Sequence, residues 1–306
     1  MQTLRIGTRG SPLALAQAHE ARDRLAAATG LPQAAFEIVV IRVTGDAVQD
    51  RPLSQIGGKG LFTKEIEEAL LSGGVDVAVH SMKDMPVLQP DGLVLDCLLP
   101  REDPRDAFVT LGARQGIADL PEGAVVGTSS LRRRAQLLAR RPDLRVVEFR
   151  GNVQTRLSKL AAGVAEATFL AMAGLRRLGL AQGVPARPIP PEAMLPAIAQ
   201  GAIGIERRAA DGRAAEMLAL IHDRDTGLRL AAERAFLAAL DGSCQTPIAG
   251  LAELDGDRLR LRGEILSPDG ARVLADDATA PAGDGAELGR VMACRLLQGA
   301  GPGFFG

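Results

Sequence analysis

The 306-residue chain lacks most of the signals that would mark a metal, redox, nucleotide or membrane protein. Its three cysteines, Cys97, Cys244 and Cys294, are widely spaced and never in CxxC form, which argues against a disulfide framework or a zinc cluster. The three histidines, His19, His80 and His222, have no metal-ligand spacing and HExxH is absent, so no metal is expected. With 36 basic and 37 acidic residues the formal net charge is −1. No global field then draws the chain to nucleic acid or to a membrane, and any basic site must be a local concentration of arginine. No uninterrupted apolar run reaches the roughly 18 residues of a membrane span, and Met1 to Gly10 shows no signal-peptide pattern. Neither GxxxxGK[ST] nor a helix-opening GxGxxG is present, and no internal repeat or low-complexity segment is visible. These absences lead to the expectation of an ordinary globular, cytoplasmic protein for which nucleic-acid binding is not favoured.

What is present is a turn used three times. Apolar, strand-like runs end in glycine, hydroxyl and arginine residues just before a helix: Arg9-Gly10-Ser11-Pro12, Gly127-Thr128-Ser129-Ser130-Leu131-Arg132-Arg133, and Arg150-Gly151-Asn152. A helix N-terminus offers unpaired N–H groups and the positive end of its dipole, and an adjacent arginine grips a carboxylate bidentately. Three such turns predict a ligand with several carboxylates or phosphates.

From residue 1 to about 180, Val- and Ile-rich runs alternate with helical periods, the pattern of βαβ units and a parallel sheet. Strands are expected at Leu4 to Gly7, Phe36 to Val43, Val75 to Val79 and near Val125, Val146 and Phe169. Helices are expected at Leu13 to Ala28, Phe62 to Leu71, Ser129 to Arg140, Asn152 to Ala162 and Ala173 to Leu180. Proline and charge at 99–106, and a proline cluster at 185–196, read as two crossings that make a hinge, with a helix at Gln200 to Glu206 returning to the first domain. From Thr226 a helix, three short strands and a helix near Leu288 to Leu297 make a small α+β domain, and the tail from Gly299 carries no structural signal. The domains are thus 1–99 with 198–218, 105–193, and 222–306.

Asp84 follows Lys83 just past a buried strand, where ligands gather in open α/β sheets. Its carboxylate either closes a loop with Lys83 or hydrogen-bonds an N–H and stabilises a cation. Cys244, in the loop Gly242-Ser243-Cys244-Gln245-Thr246, is either incidental or a nucleophile and attachment point, whereas Cys97 looks like buried packing. His80 reads as a satisfied strand-end histidine. The arginines at the strand-to-helix turns are the candidates for anion binding, while Arg134, Arg140 and Arg141 read as solvated face. The loop Gly57-Gly58-Lys59-Gly60 reads as a mobile lid.

Eight motifs in order then resemble one family, porphobilinogen deaminase (hydroxymethylbilane synthase) of tetrapyrrole biosynthesis. They are TRGSPLALAQ (8–17), GGKGLF (57–62), VHSMKDMP (79–86), REDPRDAF (101–108), GTSSLRRRAQL (127–137), RGNVQTRLSKL (150–160), LAMAGLRRLGL (170–180) and GSCQTPI (242–248). The resemblance implies an α/β fold of two periplasmic-binding-protein-like (type II) domains joined by a hinge, plus a small C-terminal α+β domain. It implies a monomeric transferase that takes porphobilinogen and a dipyrromethane cofactor held on Cys244 by a thioether. By the same resemblance Asp84 is the catalytic carboxylate. Ser11, Lys83, Asp84, Thr128, Ser129, Ser130, Arg132, Arg133, Arg150 and Gly151 hold the cofactor, Arg9, Arg150, Arg156 and Arg177 hold incoming substrate or the growing chain, and Lys59 and Phe62 gate the site. Each porphobilinogen adds two carboxylates, which suits an arginine-rich track. The chain departs from the family at Ala199, where glycine is common, at Asp225-Thr226, at Glu166 and in its short glycine-rich tail. A clamshell that binds a polyanionic solute without chemistry is the alternative, since architecture does not fix function.

Overall fold

A computed structural model describes residues 3–44, 63–242 and 246–305. The chain divides into two compact units, Met1–Glu102 with Ala202–Gly227, and Asp103–Gly201 with Leu228–Gly306.

The first unit is built on β1 (Leu4–Arg9), β2 (Phe36–Ile41), β3 (Val77–Ser81), β4 (Leu93–Leu98) and β10 (Ile203–Arg208), in the order β2-β1-β3-β10-β4. β1 runs parallel to β2 and β3, while β10 is antiparallel to both its neighbours. Both faces of such a sheet are covered, so its central strands read as near-continuous apolar runs. On one face α1 (Pro12–Thr29) buries Ala18, Ala21 and Leu25, and α6 (Gly212–Ala219) buries Ala214 and Leu218, against Leu4, Ile6, Val77 and Val79. On the other, α2 (Lys64–Leu71) buries Ile66 and Leu70 against Val75 and Ala78. Ser11 caps α1 by accepting from the Ala14 amide (3.3 Å), with Pro12 at the first helical position, where its missing N–H costs nothing.

The second unit repeats that arrangement of strand directions, with its antiparallel strand first in the chain rather than last. β5 (Asp106–Val109), β6 (Val125–Gly127), β7 (Arg145–Val147), β8 (Ala167–Ala171) and β9 (Ala186–Pro188) lie in the order β7-β6-β8-β5-β9. Three strands are again parallel, and the strand between β8 and β9 again runs against both. Helices α3 (Leu131–Arg140), α4 (Val153–Ala161) and α5 (Met172–Arg177) follow β6, β7 and β8. The same unit carries an antiparallel sheet β11 (Ile248–Asp255), β12 (Arg258–Leu266) and β13 (Val273–Pro281), with α7 (Arg224–Ala239, from Leu228 on) and α8 (Gly285–Ala300). Gly289 of α8 packs so closely on α7 that a Cβ there would lie 2.3 Å from the Ala232 carbonyl.

Two expectations fail. Gln200 to Glu206 is a tight turn followed by strand β10, because Ile203 and Ile205, both fully buried, alternate with Gly204 and Glu206 between two waiting strands. Strand pairing overrides the helical reading of a short apolar run. The tail also carries a signal: Phe304 is buried under the Arg272 guanidinium (4.7 Å to the ring centroid), and Arg272 Nη2 donates to the Ala300 carbonyl. Ala199 has φ +59, the left-handed region that favours glycine. The fully buried Glu233 secures it by accepting from the Ala199 amide (2.7 Å) and, with its other oxygen, from the Ala252 amide (2.8 Å).

Gly204 is required by close approach. A Cβ there would lie 2.1 Å from Met82 Sδ and 2.9 Å from Leu95 Cδ2. Gly204→Ala is expected to lower stability by about 1–3 kcal/mol through overpacking, read as the urea midpoint. An unchanged midpoint would mean that Met82 yields without cost.

Candidate active site

In the first unit β1 and β3 run parallel and end at the same edge of the sheet. β1 delivers Arg9, Gly10 and Ser11 into α1, and β3 delivers Ser81 into a short 3-10 turn, Met82–Asp84. Arg9, Ser11, Gln17, His80, Ser81 and Asp84 line one concavity there. Asp84 is exposed and Lys83 half-buried, while the turn beneath them is anchored by the buried Met82 and closed by the Met85 amide donating to the Met82 carbonyl (3.3 Å). A carboxylate is thus presented to solvent on a rigid base. Gln17, buried on α1, donates to Ser81 Oγ (3.1 Å) and fixes the helix to the strand end.

The second unit holds the other two turns, after β6 and β7, parallel neighbours that also end at a common edge. Ser130 caps α3 by accepting from the Arg133 amide (3.4 Å), and the Ser130 amide donates to Thr128 Oγ1 (3.2 Å). Ser129 Oγ accepts from the Phe149 amide (3.1 Å), tying the two turns together. Asn152 caps α4 through the Thr155 amide (2.9 Å). Gly151, at φ +119, would place a Cβ 2.6 Å from the Thr155 side chain. Arg156 Nε donates to the Gly151 carbonyl (2.9 Å). Arg150, Arg156 and Arg177 are half-buried, Arg177 in the last turn of α5.

Arg132 and Arg133 are placed differently from the surface clamps that the sequence suggested. Both are buried and converge on the fully buried Asp106: Arg132 Nη1 donates to Oδ2 (2.7 Å), Arg133 Nη2 to Oδ1 (2.7 Å), and Gln200 Nε2 to Oδ1 (2.9 Å). Burial alone would raise the Asp106 carboxyl, but the two guanidinium charges outweigh it and hold the group well below the usual carboxylate range. Arg132 Nε is buried without an acceptor among the described residues. Arg141, read as solvated face, is pinned instead by the Ile117 and Leu120 carbonyls and by Asp143. Cys97 is buried packing as expected, its thiol pushed up to about 12 by burial and by the Asp96 charge. Cys244, Lys59 and Phe62 lie outside the described residues.

Two profiles cover almost all of the chain: "Porphobilinogen deaminase, dipyromethane cofactor binding domain" matches residues 4–216, and "Porphobilinogen deaminase, C-terminal domain" matches 228–298. The chain belongs to the porphobilinogen deaminase family. It is 68% identical over 302 residues to the porphobilinogen deaminase of Paracoccus denitrificans, covering 99% of this chain and 96% of that one. Against the chloroplastic porphobilinogen deaminase of Pisum sativum it is 54% identical over 308 residues, covering 99% and 83%. A solved structure, the probable amino-acid transporter binding protein YtmK of Bacillus subtilis, aligns with TM-score 0.41 and 13% identity over 72% of this chain and 89% of that one. Among the described residues no helix is long and apolar enough to cross a membrane.

Within this porphobilinogen deaminase fold, sequence reasoning missed Gln17, Asp106, Gln200, Glu206 and Glu233. Each is a polar or charged residue that the fold buries. That signal was legible for Gln17, which interrupts the buried stripe Ala14, Ala18, Ala21 and Leu25 of α1. It was legible for Glu206 too, at the end of Ala202-Ile203-Gly204-Ile205.

Proposed function

We propose that the chain is a hydroxymethylbilane synthase. It deaminates four porphobilinogen molecules, joins them head to tail onto a dipyrromethane carried by Cys244, and releases the linear tetrapyrrole with water. The observation that carries this reading is Asp84, exposed at the end of a buried strand beside the Arg9 and Ser11 turn, in a chain whose family profile is that of the cofactor-binding domain.

The residues present suit a polycarboxylate. Arg9, Lys83, Arg150, Arg156 and Arg177 supply cationic donors, and Ser11, Thr128, Ser129 and Ser130 supply hydroxyls at capped helix starts. When bound, the dipyrromethane supplies a pyrrole carbon that attacks the incoming substrate. Asp84 accepts from pyrrole N–H groups and offsets the positive charge that develops as ammonia leaves porphobilinogen. Arg9, Arg150, Arg156 and Arg177 bind the acetate and propionate groups of the incoming ring and of the lengthening product. Ser11, Lys83, Thr128, Ser129, Ser130, Arg132, Arg133, Arg150 and Gly151 orient the cofactor. Arg132 and Arg133 also hold Asp106, so they act on a ligand from fixed positions. A cytoplasmic monomer of three domains completes the reading, supported by the balanced charge, the wide spacing of the cysteines in the sequence and the third sheet, β11 to β13.

The test is to give porphobilinogen to the purified chain and follow ammonia and hydroxymethylbilane, with intact mass measured beforehand. The expected result is release of both products and an added mass of two pyrrole units that maps to the peptide containing Cys244. Binding without ammonia release would favour the non-catalytic binder, and an unmodified chain active without added mass would overturn the cofactor assignment.

A further inference from the structure

His80 and Glu206 form a polar pair inside the first unit that the reaction as described does not use. His80 Nε2 lies 3.1 Å from Glu206 Oε2, with the two side chains 5% and 0% exposed. With Glu206 as a carboxylate, which only accepts, the contact is a hydrogen bond donated by Nε2. The other Glu206 oxygen is buried and has no hydrogen-bond partner among the described residues. Such a pair is weak evidence for stability, because desolvation offsets most of the attraction and an unsatisfied oxygen adds cost.

Its position suggests another use. In the β3 and β10 ladder His80 stands opposite Gly204, and Glu206 opposite Ala78, so the side-chain contact ties the strands diagonally. Two residues further on, the Met82 amide donates to the Ala202 carbonyl (3.0 Å), and the Met82 side chain lies over Gly204. The turn that presents Asp84 is therefore held to β10 at successive points, and His80 itself lines the concavity that contains Asp84. Among the described residues Glu67, half-buried on α2, is a further charged group that acts on the pair; burial pushes its carboxyl up, against a hydrogen bond with Thr63, while the Glu206 charge adds to the rise and His80 opposes it.

We infer that His80 and Glu206 are positioning residues for Asp84, fixing the end of β3 so that the carboxylate keeps its place while successive substrates arrive. This rests on the hydroxymethylbilane synthase reading. Misplacement of a reacting group by about 1 Å costs on the order of a hundredfold in rate.

The experiment measures kcat per cofactor-bearing site, with loading read from intact mass, in the parent and in His80→Ala, Glu206→Leu and Glu206→Gln. The first two should lose about 10- to 100-fold in kcat with KM within about threefold. Glu206→Gln should recover most of the loss, because its amide oxygen still accepts from Nε2. Unchanged kcat per loaded site in His80→Ala and Glu206→Leu would overturn the inference. If either variant fails to load, His80→Asn, too short to reach Glu206, is compared with Glu206→Gln: a lower kcat for the former supports the inference, and equal values overturn it. An inactive parent would sink the functional reading instead.

Discussion

Asp84→Ala should fold as the parent does, yet convert porphobilinogen, per cofactor-bearing site, at least about a hundredfold more slowly. A group aimed at charge that develops in the transition state is worth roughly 10²–10³ in kcat. The structure separates this from a folding effect. The 3-10 turn is held by Met82 in the core and by backbone bonds to Ala202 and within the turn, while the Asp84 side chain is exposed. Substitution at such a site should leave stability within about 0.5 kcal/mol of the parent. Asp84→Asn keeps an acceptor and loses the charge, so it should fall between the two if both hydrogen bonding and charge contribute. Steady-state turnover with the urea midpoint measures both halves, and near-normal turnover by Asp84→Ala would remove Asp84 from the mechanism.

Asp106→Asn should be the most damaging to stability. It leaves the buried guanidinium groups of Arg132 and Arg133 without a counter-charge and places an amide N–H₂ where only acceptors fit. Removing one partner of a buried ion pair costs about 3–5 kcal/mol, a large share of the roughly 5–15 kcal/mol that holds a domain folded. The pH dependence adds a second signature. The Asp106 carboxyl is depressed in the folded state, and the unfolded group titrates near about 3.9. Its contribution is therefore fully present above the unfolded value and is lost as pH falls below about 4 toward the folded one. From about pH 5 to 3 the parent should lose stability more steeply than Asp106→Asn, with no difference in slope between about pH 6 and 8 from this group. Thermal unfolding across that range decides it. Parallel acid limbs, or a variant within about 1 kcal/mol of the parent, would show that the two arginines do not depend on Asp106.

The ease with which elements could be read follows the range of the physics behind them. Ser11-Pro12, Ser130 and Asn152 announced the starts of α1, α3 and α4, because a cap is made by an oxygen and an amide three residues away. Asp84 was legible for a related reason: a buried strand that ends in Lys-Asp presents charge at the sheet edge wherever the strand is placed. β10 was misread, since Ile203 to Arg208 becomes a strand only when β3 and β4 leave a gap between them.

Sequence alone thus determined the α/β class, the capped turns, the exposed carboxylate of Asp84 and the arginine supply for a polyanionic ligand. Tertiary structure decided which arginines remain at the turns and which are drawn inward: Asp106 lies 26 residues from Arg132, and Glu206 lies 126 from His80. It also decided that both five-stranded sheets share one arrangement of strand directions, each with a strand that runs against its neighbours, drawn from the end of the first unit's chain (β10) and the start of the second's (β5). Local patterns encode caps and faces because those interactions span one turn of helix or one pleat. Partners brought together from distant parts of the chain leave no such pattern, only a buried polar residue whose counterpart the fold supplies.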